Sequence, residues 1–461
     1  MKRQNRVAIF NILSTLLLNG IAFLTAPLFA WLLGDSGYGV LSIYSIWTSA
    51  LAIVFTLQTQ GTLVNARTEY DEPTQLRYQS AAMSLSLCVF LSFSVLVLIF
   101  IRPVSGLLQL EPLLIGLMLV QAFGTFCVNF LNTKFVYEFK AGRNMLMSLA
   151  VTLVTLGLSV VLILIQPKET AYIGRILAMA ATYGLLGIPA CIYILRQGKT
   201  FYNRDFWKFC ILLAIPSVFY NLSDLILGQS DQIMLQRLLS EAHVGRYNFA
   251  WRFGNIMFII FGALNNTWCP FFFEDMKLGQ REKLRAKATN FLELFTVLSV
   301  GFILLAPEVY GFYAPQDFQD GTNLIPVFTT SYYLNFLCTF PVNFEYYHKK
   351  TKVVAVVTIS SSLLNIALNY VLIRSMGMMG AAVATMLSHC LQLALHHGYC
   401  RRLGKGEYPF SIGVWVKYGI AYLAVVVLVF LSPGAWLLRW GLGACIGAAE
   451  LLRIRRRKVL I

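Results

Sequence analysis

Arginines and aspartates set inside long apolar stretches are the residues of this sequence with the most chemical potential. Arg175, Arg246, Arg252 and Arg439 all fall within apolar runs rather than between them. A guanidinium placed there is costly unless it meets an anion or a water-filled cavity. Arg246 and Arg252 lie close together, with Tyr247, Asn248 and Trp251 between them. That mix suits an anionic ligand that carries sugar. Guanidinium groups chelate phosphate oxygens, and aromatic faces pack on sugar rings. The competing reading is an arginine that reaches out to the membrane interface. It fits Arg246, just past His243, better than Arg252. Arg175 reads as interfacial, and Arg439 has no clear partner.

Asp224 and Asp231 come shortly before, at a spacing that puts them on roughly the same helix face. A carboxylate in hydrocarbon needs a partner. Asp231 could pair with Arg252 or Arg246, bind a coupling H+ or Na+ (as could Asp224), or serve a purely structural ion pair. Asn19, Asn129, Asn132, Asn221, Asn265, Asn266, Asn365 and Asn369 are polar residues at helical positions. Hydrogen bonding between helices is their expected role, with lining of a cavity as the alternative. His389, His396 and His397 lack a visible third ligand and read as structural, so no metal site is expected. The nine cysteines are scattered without a CxxC pair, which argues against a disulfide framework or metal site. Gly198-Lys199-Thr200 imitates the end of a P-loop, but Tyr193 stands where the first glycine belongs. Direct use of ATP is therefore not expected. No catalytic residue and no cofactor are implied beyond a coupling ion.

The elements that must position these residues are membrane-spanning helices. The chain has 461 residues, 57% hydrophobic and only 13% charged, with a mean hydropathy of +0.66. A soluble protein of that balance would lack the polar surface to cover its core. Candidate spans of about twenty residues lie at 7–33, 38–62, 79–101, 112–133, 145–165, 171–195, 209–236, 244–268, 288–312, 323–344, 353–373, 379–400, 412–431 and 435–452. The first is too long for the apolar core of a signal peptide, and Pro27 should bend it. The last is short and contains Arg439. The expected fold class is all-α and polytopic, with about fourteen spans, because only helices or closed barrels satisfy their backbone in lipid.

The net charge of +16 would suggest nucleic acid in a soluble protein. Here the basic residues alternate between loops: Lys2, Arg3 and Arg6; Lys134, Lys140 and Arg143; Lys349, Lys350 and Lys352; Arg401, Arg402 and Lys405; Arg453 to Lys458. Such alternation obeys the positive-inside rule, with an even number of spans, both termini cytoplasmic and no nucleic-acid partner. The halves also resemble each other. Leu33–Gly39 matches Leu239–Gly245, and Tyr172–Gly174 matches Met378–Gly380 at the same offset. A parallel repeat follows, related by an axis along the membrane normal. The expected organisation is a six-helix lobe over 1–200, a second over 201–405, a cavity between them, and two extra helices with a basic cytoplasmic tail over 406–461.

Three stretches then resemble the polysaccharide transporter family, the flippases of O-antigen and capsule repeat units. These stretches are LLGDSGYGVLSIYSIW at 32–47, PSVFYNLSDLILGQSDQIMLQRLLSEAHVGRYNFAWRFG at 216–254, and KTKVVAVVTISSSLLNIALNYVLIRSMGMMGAAVATMLSH at 350–389. The second carries the family's aspartate at Asp231 and its turn through Gly245, Tyr247, Asn248 and Ala250. The third carries Lys350, Thr351, Lys352, Asn365, Asn369, Gly377, Gly380, Ala381 and Ala382. The family shares a superfamily with the MATE drug exporters and the lipid II flippases. The resemblance implies a two-lobed helical fold in the bacterial cytoplasmic membrane. It also implies outward transfer of an undecaprenyl-pyrophosphate-linked glycan, with a polysaccharide polymerase and glycosyltransferases as partners in the pathway.

Two rival functions are open to such a chain. A MATE-like small-cation exporter would want an anionic cavity, whereas the arginine pair favours an anionic lipid. An enzyme of the same pathway would want a catalytic loop. The longest outer segment, 313–322, offers Asp317 and Asp320 but no base, arginine or metal ligand beside them in sequence. For energy, carrying one negative charge out of a negative interior gains about 2.3 kcal/mol per 100 mV. H+ or Na+ antiport is the other expected drive.

Overall fold

A computed structural model describes residues 3–404, 408–410 and 412–457. Of the basic residues named above, Lys2, Lys405 and Lys458 lie outside the described residues, as does the expected border at 405 and 406. The described chain is helical throughout and contains no strand. Its helices are α1 (Arg3–Thr56), α2 (Leu63–Glu69), α3 (Glu72–Ile99), α4 (Ile101–Leu108), α5 (Pro112–Tyr137), α6 (Ala141–Ile165), α7 (Ala171–Gly198) and α8 (Arg204–Leu238). They continue as α9 (Glu241–Gly254), α10 (Ile256–Lys277), α11 (Arg281–Tyr313), α12 (Leu324–Tyr347), α13 (Thr351–Met376), α14 (Met378–Leu403), α15 (Ile412–Leu431) and α16 (Trp436–Arg457). Eleven helical stretches are long and apolar enough to cross a membrane, so this is a multi-pass membrane protein.

The expected spans each fall on a helix, but some share one. The first two merge into α1 and meet at Gly34, whose φ of 67° and ψ of 176° break the helix. Pro27 lies inside the first of the two helices. The expected span at 244–268 is divided between α9 and α10, which meet at Asn255.

The chain forms two compact units, Met1–Ser230 and Asp231–Ile461, with the border inside α8. In the first, α7 packs on α3, α5 and α6. The α5–α7 crossing is possible only between glycines: a Cβ on Gly187 would stand 2.5 Å from the Cα of Gly124. Close approach at small residues is the usual source of helix association in lipid, where apolar burial drives nothing. Tyr78 is fully buried beside Phe206 and Phe209, with its hydroxyl 2.6 Å from Thr62.

The second unit has an aromatic core. Trp268 stacks on Phe291 at 5.1 Å, and Phe295 stacks on Phe336 at 4.2 Å. The two C-terminal helices join this core by specific contacts. Tyr422 of α15 stacks on Tyr333 of α12, 4.3 Å apart and nearly parallel. Arg439 of α16 is completely buried and does have a partner, Glu308 of α11. It also donates to the carbonyl oxygen of Pro433 at 3.0 Å. Arg453 binds Glu293, again on α11.

The repeated glycines do the same work in each unit. A Cβ on Gly174 of α7 would stand 2.6 Å from the carbonyl oxygen of Leu162 on α6. One on Gly380 of α14 would stand 2.0 Å from that of Leu372 on α13. Both glycines let a helix cross its predecessor with backbones in contact.

Candidate functional site

The end of α8 and the start of α9 form a helical hairpin closed by Leu239 and Ser240. Ser240 is extended, with φ of −167°, and its hydroxyl lies 2.8 Å from Nδ1 of His243. The tight closure lays α9 against α8 and matches their polar residues. The Tyr247 hydroxyl donates to Oδ2 of Asp231 at 2.5 Å. One residue on, Nδ2 of Asn248 donates to Oε1 of Gln232 at 2.7 Å. Arg252, one turn further, donates from Nε to Oδ1 of Asn248 at 2.9 Å. Asp231, Gln232, Tyr247 and Asn248 are buried, whereas Arg252 is exposed and Trp251 half-buried.

The outcome is a short relay: a buried amide pair holding an exposed guanidinium. Asn248 uses both ends of its amide, accepting from Arg252 and donating to Gln232, which fixes the side chain that orients the cation. Asp231 is satisfied by Tyr247 and by the backbone N–H of Gln232, at 2.8 Å. Its side-chain partner among the described residues is therefore a phenol, where sequence reasoning offered Arg252, Arg246 or a coupling ion. The Tyr247 hydroxyl also meets Thr385 of α14. Thr385 accepts from Asn365 at 3.2 Å, and Asn365 accepts from Asn369 at 3.0 Å. A polar chain thus runs from α8 through α9 and α14 to α13.

Arg246 has a different setting. It binds Asp320 at 3.0 Å, with 32% and 45% of the two side chains exposed. The segment Gln316–Asn323, which has no arginine of its own, receives one from α9. That pair anchors the loop and is worth at most about 1 kcal/mol. Asp224 is exposed, so the regular spacing that paired it with buried Asp231 does not give the two the same surroundings.

In the first unit, Arg175 donates to the Ser159 hydroxyl at 2.5 Å and lies over Phe29, 3.9 Å from the ring centroid. Asn221 donates to Gln58 at 2.7 Å, and Asn132 to Ser148 at 3.3 Å.

Two buried charged groups escaped the sequence reading. Lys134, counted there with the loops, is 2% exposed within α5 and binds Glu138 at 3.4 Å. It donates to Gln79 at 2.7 Å and Gln197 at 2.6 Å. Burial works against ionisation of Glu138, but Lys140 and Lys134 outweigh it and hold the carboxyl below its ordinary range. The second is Glu345 on α12, fully buried against His396 of α14. Glu138 is a sequence neighbour of Lys134, but the partners that complete each cluster, Gln79 and Gln197 in the first and His396 in the second, come from other helices. Among the described residues no three His, Cys, Asp or Glu side chains gather as for a metal ion.

The comparisons with known proteins agree with this architecture. The family model described as polysaccharide biosynthesis protein matches residues 6–276. The probable low-salt glycan biosynthesis flippase Agl15 of Haloferax volcanii is 21% identical over 422 residues, spanning 89% of this chain and 86% of that protein. Among solved structures, the lipid II flippase MurJ in an inward closed conformation superposes with a TM-score of 0.63 at 16% identity, over 98% of this chain and 99% of that one. An inward-facing MATE family multidrug resistance transporter of the MOP superfamily gives 0.61 at 15% identity, over 87% and 99%. The structural likenesses show that the chain shares its fold with these two proteins. With more than half its length matched by the family model, the chain belongs to the polysaccharide biosynthesis protein family.

Proposed function

We propose that this protein is a flippase that moves undecaprenyl-pyrophosphate-linked oligosaccharide repeat units outward across the bacterial cytoplasmic membrane, for O-antigen, capsule or exopolysaccharide synthesis. Both termini lie in the cytoplasm, and a polymerase and glycosyltransferases act beside it. Two six-helix lobes rock about a central cavity in alternating access, while the polyprenyl tail stays in lipid. The membrane potential, or H+ or Na+ antiport, drives the cycle. Two similar proteins support the class of cargo: one is a probable glycan biosynthesis flippase, the other a lipid II flippase.

The observation that carries the reading is Arg252. An exposed guanidinium braced by Asn248, within the stretch of α9 and α10 that is long and apolar enough to span lipid, fits a pyrophosphate better than a cation. Trp251 beside it offers an aromatic face to sugar, and Arg246, Tyr247 and Asn248 complete the surroundings. The test is transport of a fluorescent undecaprenyl-pyrophosphate oligosaccharide in proteoliposomes. Wild type should flip it, Arg252→Ala should lose at least tenfold in rate while still folding, and Arg252→Lys should fall between. Wild type that exports an organic cation and leaves the lipid unmoved would replace this reading with a MATE-like exporter.

A further inference from the structure

The Glu345–His396 pair is the most deeply buried ionisable contact in the second unit. Both side chains have zero exposure, and Nδ1 of His396 lies 3.0 Å from each carboxylate oxygen of Glu345. The wall is apolar, with Phe340, Phe344 and Cys400 in the same buried cluster. The other titratable groups that act on Glu345 are Cys338 of α12, Cys400 of α14 and Tyr408 of the 408–410 segment. Cys400 donates to Glu345 at 3.6 Å. His397 turns away to Tyr408 at 3.2 Å and stands near Arg401.

The far ring nitrogen of His396, Nε2, is buried and meets no hydrogen-bond partner among the described residues. With one proton shared beyond the imidazole's own, the pair is neutral overall, whether written as imidazolium and carboxylate or as imidazole and carboxylic acid. Both neutral forms carry a hydrogen on Nε2. Loss of that proton leaves a net negative charge in an apolar wall, which is costly while the site is dry. Once water reaches Nε2 the cost falls, and the proton can pass from Nε2 to that water, leaving neutral imidazole and carboxylate. Glu345 lies just before the end of α12, and Lys349 and Lys350 follow it, so the nearest water is on the face of the α12–α13 turn.

We propose that Glu345 and His396 form a proton-binding site that exchanges with water on the α12–α13 face during the transport cycle. Its link to transport rests on the flippase reading above; the proton site itself does not. Two measurements separate them. In the first, full-length protein with 15N-labelled histidine is titrated by NMR in lipid nanodiscs. Of the five histidines, His396 (identified by its loss in His396→Gln) should change protonation as the pH is varied, and Glu345→Gln should displace that change. An invariant His396 resonance overturns the proposal. In the second, proteoliposomes carry the fluorescent lipid-linked oligosaccharide with pH varied on one face at a time. Wild-type rate should change by up to about tenfold per pH unit on the α12–α13 face, and folded Glu345→Gln and His396→Gln should lose that response. Variants that transport and keep it overturn the coupling. Should wild type not move the probe at all, the flippase reading fails while the NMR titration still decides the proton site.

Discussion

Tyr247 shows how one hydroxyl can decide whether an acidic residue is tolerated inside a membrane protein. Asp231 is buried, and its two acceptor contacts come from Tyr247 and the Gln232 backbone. Tyr247→Phe keeps the ring, its edge-on packing on Phe328 and nearly all of the volume, but removes the phenolic donor. The carboxylate then loses a charge-assisted hydrogen bond at a site it cannot leave. We expect a loss of about 1–3 kcal/mol, measured as earlier thermal unfolding in lipid nanodiscs. An unchanged unfolding temperature would mean that water replaces the hydroxyl. The Asn248 relay works by the same rule, since a buried amide is acceptable when both of its ends are used.

At the scale of the helix, α16 is held by charge as well as by the packing of Leu442 and Ile446 on the aromatic core. It carries Arg439 and Arg453, and both reach carboxylates on α11. The Arg439 contact is the deeper, and Trp440 also donates to Glu308, at 3.1 Å. Glu308→Ala would strand a fully buried guanidinium. Breaking such a pair from one side costs about 3–5 kcal/mol, so α16 should detach before the rest of the protein unfolds. Protease accessibility of the α15–α16 turn would reveal it. Replacing both partners together, as Glu308→Leu with Arg439→Leu, should restore much of the protection, whereas a purely electrostatic steering role would not allow that rescue.

For the whole molecule, the relevant quantity is the charge that crosses the membrane. If the cargo leaves with an uncompensated pyrophosphate, its outward movement follows the field. An inside-negative potential of 100 mV contributes about 2.3 kcal/mol per charge, which shifts the final distribution about 50-fold per net charge. Accumulation of the fluorescent lipid on the outer face, measured against potassium diffusion potentials in oriented proteoliposomes, should rise accordingly. Accumulation that ignores the potential would mean that the cargo moves with its charge neutralised, as in exchange for a cation.

The type of the elements was legible from apolar run length, because the lipid forces the backbone to close its own hydrogen bonds and leaves helix as the available answer. Gly174 and Gly380 were legible as a matching pair, and each stands where one helix backbone touches the next and a side chain has no room. Arg252 and Asn248 could be singled out because a cation and an amide stand close together inside an apolar run. The other partnerships could not. Asp231 meets Tyr247, Arg246 meets Asp320, Arg439 meets Glu308 and His396 meets Glu345, each on a different helix or loop. A sequence records which polar groups must be buried, through the apolar residues around them. Only tertiary packing decides which of the available donors and acceptors satisfies each one, because that choice depends on how neighbouring helices are rotated and on where they cross.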